Sequence, residues 1–66
     1  MSYTEYDKIE VLLRDKNGSI NKLTFNKCNL KFQSNFIIII IKDENNNKIC
    51  NVYDLNHIKS YKLYLN

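Results

Sequence analysis

The stretch that decides the fold is Phe36-Ile37-Ile38-Ile39-Ile40-Ile41, six consecutive large apolar residues followed by Lys42 and the acidic pair Asp43-Glu44. In a strand, alternate side chains point to opposite faces, so residues 36, 38 and 40 would cover one face and 37, 39 and 41 the other. A helix would interrupt the run with polar positions, and five consecutive β-branched side chains disfavour a helix. The run therefore predicts a strand buried on both faces.

Before this run, alternating apolar residues predict a strand over residues 8–14. The turn residues Asp15–Ser19 follow that strand. A two-residue turn there would pair Val11 with Thr24 and place the apolar stripes of the two strands on opposite faces. A three-residue loop, with Gly18 as a left-handed bulge, pairs Val11 with Leu23 and aligns the stripes. We therefore predict the three-residue loop.

The rest of the chain shows the same period of two, interrupted by turn residues. Residues 27–29 are expected to form a loop or bulge, and Asp54 is expected to cap a helical turn. A helix over residues 55–65 is the alternative at the C-terminal end, where the alternating pattern around Tyr61 and Tyr64 favours a strand. Further strands are predicted over residues 19–26, 30–32, 36–41, 48–53 and 61–65.

Together these elements predict an all-β fold, a small antiparallel meander or barrel of five to six short strands with one short helical turn near residues 54–58. Residues 1–7 are predicted to be a flexible lead-in, and residues 8–66 a single small β domain. One flat layer cannot cover both faces of the 36–41 strand. The sheet must therefore curl, receive the helical turn across one face, or pack against a second copy, and we expect a homo-oligomer, a dimer or higher.

The length of 66 residues limits the core, because a domain this small buries only about 60% of the surface of its unfolded chain. The six apolar residues of the 36–41 run are too few to span a bilayer, which needs about 20, so no membrane partner is expected. The N-terminal residues show no signal-peptide pattern. We expect a cytoplasmic protein in which Cys28 and Cys50 are reduced and behave as small buried hydrophobes.

The composition is biased towards residues with A/T-rich codons. Asn, Ile and Lys supply 29 of the 66 residues, whereas there is one Gly, one Arg and no Pro. This bias indicates a low-GC bacterium, or a phage or plasmid that lives in one. The net charge of +3 can therefore reflect codon usage as well as selection for a polyanionic partner.

The sequence shows no motif for catalysis, cofactors or metals. His57 is the single histidine, and no nucleophile or orienting group accompanies it in the sequence. Cys28, Cys50 and His57 lack the short paired spacing of a zinc site, and one glycine cannot form a phosphate-binding loop. We expect no enzyme activity, no cofactor and no metal.

Two functions fit such a chain. The first is a non-enzymatic interaction protein that binds another protein, such as a phage or mobile-element accessory protein that inhibits or modulates a host protein complex. The alternative is a single-stranded RNA- or DNA-binding small β-barrel, Sm-like or OB-like in style, that combines lysines with aromatic platforms. Its candidate binding residues are Lys31, Lys59, Lys62, Tyr61 and Tyr64.

The order of elements resembles the bent barrels of Sm-like RNA-binding proteins. The matching elements are a strand, the Asn17-Gly18 turn, a second strand, the apolar strand at 36–41, a short turn with His57-Ile58 and a closing strand. The resemblance covers this order alone and implies a small bent barrel with an RNA ligand.

Overall fold

A computed structural model describes residues 4–65, and in this part of the chain five antiparallel strands form one sheet in the order β4-β3-β2-β1-β5. The all-β meander with a helical turn is thus confirmed. The two outer strands, β4 and β5, do not pair with each other, so the sheet stays open rather than closing into a barrel. The elements are β1 (Glu5–Arg14), β2 (Ile20–Gln33), β3 (Phe36–Lys42), β4 (Lys48–Asp54), a 3-10 turn (Leu55–His57) and β5 (Ile58–Tyr64).

The predicted three-residue loop between β1 and β2 is confirmed. Val11 pairs with Leu23, and Gly18 has a φ of +83°. The Asp15 carboxylate fixes the loop because its Oδ1 accepts hydrogen bonds from the backbone N–H of Asn17 at 2.9 Å and from that of Ser19 at 2.8 Å. The loop aligns the apolar stripes of the two strands on one face.

The loop between β3 and β4 repeats this geometry. Oδ1 of Asp43 accepts hydrogen bonds from the backbone N–H of Asn45 at 2.8 Å and from that of Asn47 at 2.9 Å. Asn46 takes the position of Gly18, with a φ of +66°. Asparagine tolerates this left-handed backbone better than other non-glycine residues, which lets a glycine-poor chain build a second loop of the same type.

The strands predicted over 19–26 and 30–32 are one continuous strand, β2. Lys27 has a φ of +49° and forms a kink inside the strand, which adds no residue because the β1–β2 register is the same on both sides of it. The loop or bulge expected over 27–29 is thus a kink within one strand. Phe25 and Cys28 both contact the core although they are three residues apart, so the side-chain alternation reverses at the kink. β2 pairs with β1 as far as Asn29, and from Asn29 onwards it pairs with β3. The centre of the sheet is therefore β2 and not the apolar 36–41 strand.

The core lies where the two halves of the bent sheet face each other. Among residues 4–65 the fully buried apolar side chains come from β1, β2 and β3. Phe25 of the first half lies against Tyr53 of the second, with ring centroids 6.4 Å apart. The fully buried residues are Ile9, Val11, Cys28, Ile37 and Ile39.

The expectation that the apolar strand is buried on both faces is wrong for one of them. Ile37 and Ile39 are fully buried, but Ile38 and Ile40 are only half-buried and Phe36 is 43% exposed. The helical turn does not cover this second face. Its Leu55 packs against the core instead, at the end of the sheet where its N–H donates to the Asn35 carbonyl at 2.9 Å.

Both ends of the chain differ in detail from the prediction. β1 begins at Glu5, which pairs with Asn29, so it overlaps the lead-in predicted over 1–7, of which residues 1–3 lie outside the described residues. Asp54 caps the helical turn as predicted, because its Oδ1 accepts the Asn56 N–H at 2.9 Å. The closing segment is a strand rather than the alternative helix, and it starts at Ile58.

The two cysteines occupy different environments. Both are free thiols; Cys28 is buried as predicted, whereas Cys50 is exposed. The prediction for Cys50 is wrong because β4 is an edge strand and Cys50 lies on its outer face, opposite the half-buried Ile40.

Candidate functional site

The outer face of β3 and β4 carries a continuous apolar surface, which we call the outer stripe. It arises because the 36–41 run has apolar side chains on both faces while the fold buries one of them. Ile38 lies directly opposite Val52, and Ile40 directly opposite Cys50. Val52 is 54% exposed. The outer stripe consists of Phe36, Ile38, Ile40, Cys50 and Val52.

A free strand edge borders the outer stripe. β4 pairs with β3 along one side only, so the other side of Lys48–Asp54 has no strand neighbour within residues 4–65. Unpaired backbone N–H and C=O groups at a sheet edge can add a strand from another chain. Lys48 and Asp54 place a charge at each end of this edge, and apolar or uncharged residues lie between them. The stripe and the edge therefore form one surface suited to association.

A basic groove lies at the other end of the same outer face. Lys42 and Lys48 are directly opposite each other across β3 and β4. Together with Lys27 at the β2 kink they line a groove of about 440 Å³, which we call the lysine groove. Glu5, Asn26, Asn29 and Ile40 of the outer stripe also line it.

The outer face of β1 and β5 carries a second charged cluster, centred on Glu10. Its carboxylate lies 3.1 Å from Nζ of Lys22 and 3.8 Å from Nζ of Lys8, and it accepts the Tyr64 hydroxyl at 2.8 Å. The hydrogen bond from Tyr64, followed by that from Lys22, lowers the pKa of Glu10. The same bond raises the pKa of Tyr64. Nζ of Lys8 also lies 4.4 Å from the centroid of the Tyr64 ring.

The structure does not bring the five predicted nucleic-acid-binding residues to one place. Lys62 and Tyr64 lie together on the outer face of β5, opposite Glu10 and Lys8 respectively. Tyr61 pairs with Val11 on the core side of the sheet.

The other predicted residues lie apart from that pair. The Tyr61 ring contacts Phe32 at the open side of the sheet, with centroids 6.0 Å apart. Lys31 lies opposite Ile38, beside the outer stripe. Lys59 is exposed on β5, where the pairing with β1 shifts register between Leu12 and Leu13.

Sequence reasoning missed the lysine groove. Lys42 and Lys48 flank the predicted turn at 43–47 symmetrically, so the register of that hairpin already placed them opposite each other. The position of Lys27 depends on the kink in β2, where the sequence predicted a loop or bulge over 27–29. Extending the register of this hairpin from the turn to residues 42 and 48 predicts the lysine pair.

His57 lies exposed in the 3-10 turn, beside a cavity of about 320 Å³ that Arg14, Asp15 and Lys16 also line. Within the described residues, no three His, Cys, Asp or Glu side chains are grouped as metal ligands would be. The helical content there is the short 3-10 turn, and none of it is long enough to cross a bilayer. No family model, curated protein or solved structure matches the chain.

Proposed function

We propose that this protein is a non-enzymatic interaction module that binds other protein chains, and first of all a second copy of itself, through the outer stripe and the free edge of β4. The observation that supports this proposal is the exposed outer stripe. Single exposed apolar side chains are normal on a protein surface, whereas a contiguous apolar patch marks an interaction site. The outer stripe is contiguous because its members are direct cross-strand neighbours.

The small core gives a physical reason for self-association. Five side chains are fully buried within residues 4–65, and domains of this size often need additional burial for stability. Burying an exposed Val, Ile or Phe side chain completely contributes roughly 1.5–3 kcal/mol. Covering the outer stripe with a second copy would therefore stabilise the folded chain.

The free edge of β4 gives the association a defined geometry. An edge strand recognises another strand through backbone hydrogen bonds, while alternate side chains provide the specificity. Cys50 and Val52 alternate along β4 and point to the outer face. A partner strand added at this edge would extend the sheet and continue the outer stripe across the interface.

The narrower form of the proposal is that a protein of phage or mobile-element origin uses this surface to inhibit or modulate a host protein complex. The low-GC composition supports the origin, and an apolar surface beside a free strand edge supports occupation of a partner surface as the mode of action. The pull-down of a host complex by the wild-type chain, and its loss when Val52 is replaced by Asp, tests this form directly.

The self-association is tested by light scattering over a dilution series, with circular dichroism to confirm folding. The wild type should have the mass of a dimer or larger assembly at high micromolar concentration and approach the monomer mass on dilution. Val52→Asp should remain monomeric, whereas Ser60→Asp, on an exposed β5 position opposite Leu12 and away from the stripe, should behave as the wild type. A wild-type chain that stays monomeric throughout would overturn the proposal.

A further inference from the structure

The lysine groove contains three lysines and one carboxylate, that of Glu5, and none of the three lysines forms an ion pair with a described residue. Lys42 and Lys48 are direct cross-strand neighbours, and like charges in that position disfavour the pairing. No carboxylate of the described residues 4–65 lies within 4 Å of either amine. Asp43 is next to Lys42, but its Oδ1 and Oδ2 accept hydrogen bonds from Asn45 and Asn47 of its own loop. The fold therefore keeps two adjacent ammonium groups available to an external anion.

The kink in β2 adds a third lysine, Lys27, to this pair. The β2–β3 register runs from Gln33 opposite Phe36 to Asn29 opposite Ile40. If this register continues, the next pair on the outer face is Lys27 opposite Lys42, and both residues line the groove. Three lysines thus form one row across three strands, so a ligand with a single negative charge would leave the row only partly neutralised.

The basic surface continues beyond the groove across the first half of the sheet. Asn26, which lines the groove, lies directly opposite Lys8, and Lys8 lies directly opposite Tyr64. The groove and the Glu10 cluster therefore meet on one outer surface that carries six lysines and two glutamates, whereas the rest of the chain has four basic and five acidic residues. These six are Lys8, Lys22, Lys27, Lys42, Lys48 and Lys62.

We infer that this surface binds single-stranded nucleic acid, with the phosphate backbone in the lysine groove. An elongated row of lysines matches a ligand with regularly spaced negative charges better than it matches one phosphate group. Tyr64 is 38% exposed and offers a ring on which a base can stack, and the side-chain amides of Asn26 and Asn29 offer hydrogen bonds at the groove. This surface adjoins the one proposed for association at Ile40 and Lys48, but the two differ in chemistry, because the lysines contact phosphate whereas the outer stripe makes apolar contacts.

The test uses the full chain and a fluorescent oligonucleotide of 15 thymidines, with anisotropy measured at several salt concentrations. Replacing Lys42 and Lys48 by Gln removes two charges and relieves their repulsion, so the variant should fold. Its affinity at low salt should fall about tenfold, and the slope of log K against log salt should become shallower by about 1.4, because a single-stranded phosphate contact contributes about 0.7. A matched control replaces Lys16 and Lys59, which lie outside the groove, by Gln.

The control should bind the oligonucleotide with an affinity within a factor of about two of the wild type. If both double variants lost the same affinity for the oligonucleotide, net charge alone would account for the binding, and the inference would be overturned. Equal binding of a duplex of the same length, or of polyglutamate, would overturn it as well, as would the absence of binding by the wild type at low salt. Val52→Asp lies outside the groove and should bind the oligonucleotide nearly as tightly as the wild type although it no longer self-associates, so the two proposals can be tested separately.

Discussion

Tyr64 and Glu10 join β5 to β1 through a hydrogen bond in which the Tyr64 hydroxyl donates to Oε1 of Glu10 over 2.8 Å. This bond is the largest cause of the lowered pKa of Glu10, ahead of the interaction with Lys22. A carboxyl whose pKa is lower in the folded than in the unfolded state stabilises the fold above its ordinary pKa. That stabilisation is lost as the pH falls through the lowered value.

Tyr64→Phe should therefore move the pKa of Glu10 back towards its ordinary value of 4.5. The urea midpoint of the variant should also change less than that of the wild type between pH 6 and about pH 3, because less of its stability depends on an ionised Glu10. NMR titration of the Glu10 carboxyl carbon measures the first effect. Tyr61→Phe, on the other face of the same strand, is the control, and an unchanged Glu10 titration in Tyr64→Phe would contradict the assigned cause.

Gly18 and Asn46 occupy equivalent positions in two loops of the same geometry, with φ of +83° and +66°. Gly18→Ala should destabilise the fold by about 1–2 kcal/mol, because a Cβ disfavours left-handed backbone. No heavy atom lies within 4 Å of the added Cβ, so the loss comes from the backbone alone. Gly18→Asn should lose less than Gly18→Ala in urea unfolding, and equal losses would show that the loop has changed its geometry.

Neighbouring isoleucines in β3 should respond differently to truncation. Ile39 is fully buried in the core, and Ile39→Ala should lower the free energy of unfolding by about 2–5 kcal/mol. Ile38 is half-buried on the outer face, so Ile38→Ala should lose clearly less when measured on the monomer at low concentration. Urea unfolding of the two variants checks this, and equal losses would mean that both faces of β3 are buried in the monomer.

The sequence alone predicts the elements that depend on a local pattern of residues. The alternation of Ile9 and Val11 with Leu23 and Phe25 selected one hairpin register out of two, because the other would have put the apolar stripes on opposite faces. The Asp54 cap was likewise visible from residue type alone. These features depend on residues a few positions apart.

The features that the sequence left undecided depend on long-range geometry. The two predicted strands join into β2 at the kink of Lys27, and no local pattern fixes how far the sheet bends there and brings β4 towards β5. The outcome of that bend decides which face of the 36–41 strand is covered. For the same reason, the exposure of Cys50 and the grouping of Lys27 with Lys42 and Lys48 followed only from the folded sheet.

The reactivity of Cys50 can show whether a second chain covers the outer stripe. Cys50 lies exposed within the stripe, while Cys28 is buried, and burial, with a smaller contribution from the charge of Glu5, raises the pKa of the Cys28 thiol. A thiol reagent should therefore modify Cys50 in the folded protein and leave Cys28 unmodified until the protein unfolds. Cys28 serves as the internal control for folding.

The rate of Cys50 modification, measured from low to high protein concentration, tests self-association through the outer stripe most directly. The modification should slow as the concentration rises and a second copy covers the stripe, and in Val52→Asp it should stay constant at the fast rate. A wild-type rate that does not change with concentration, with Cys28 still protected, would show that no second copy covers the outer stripe.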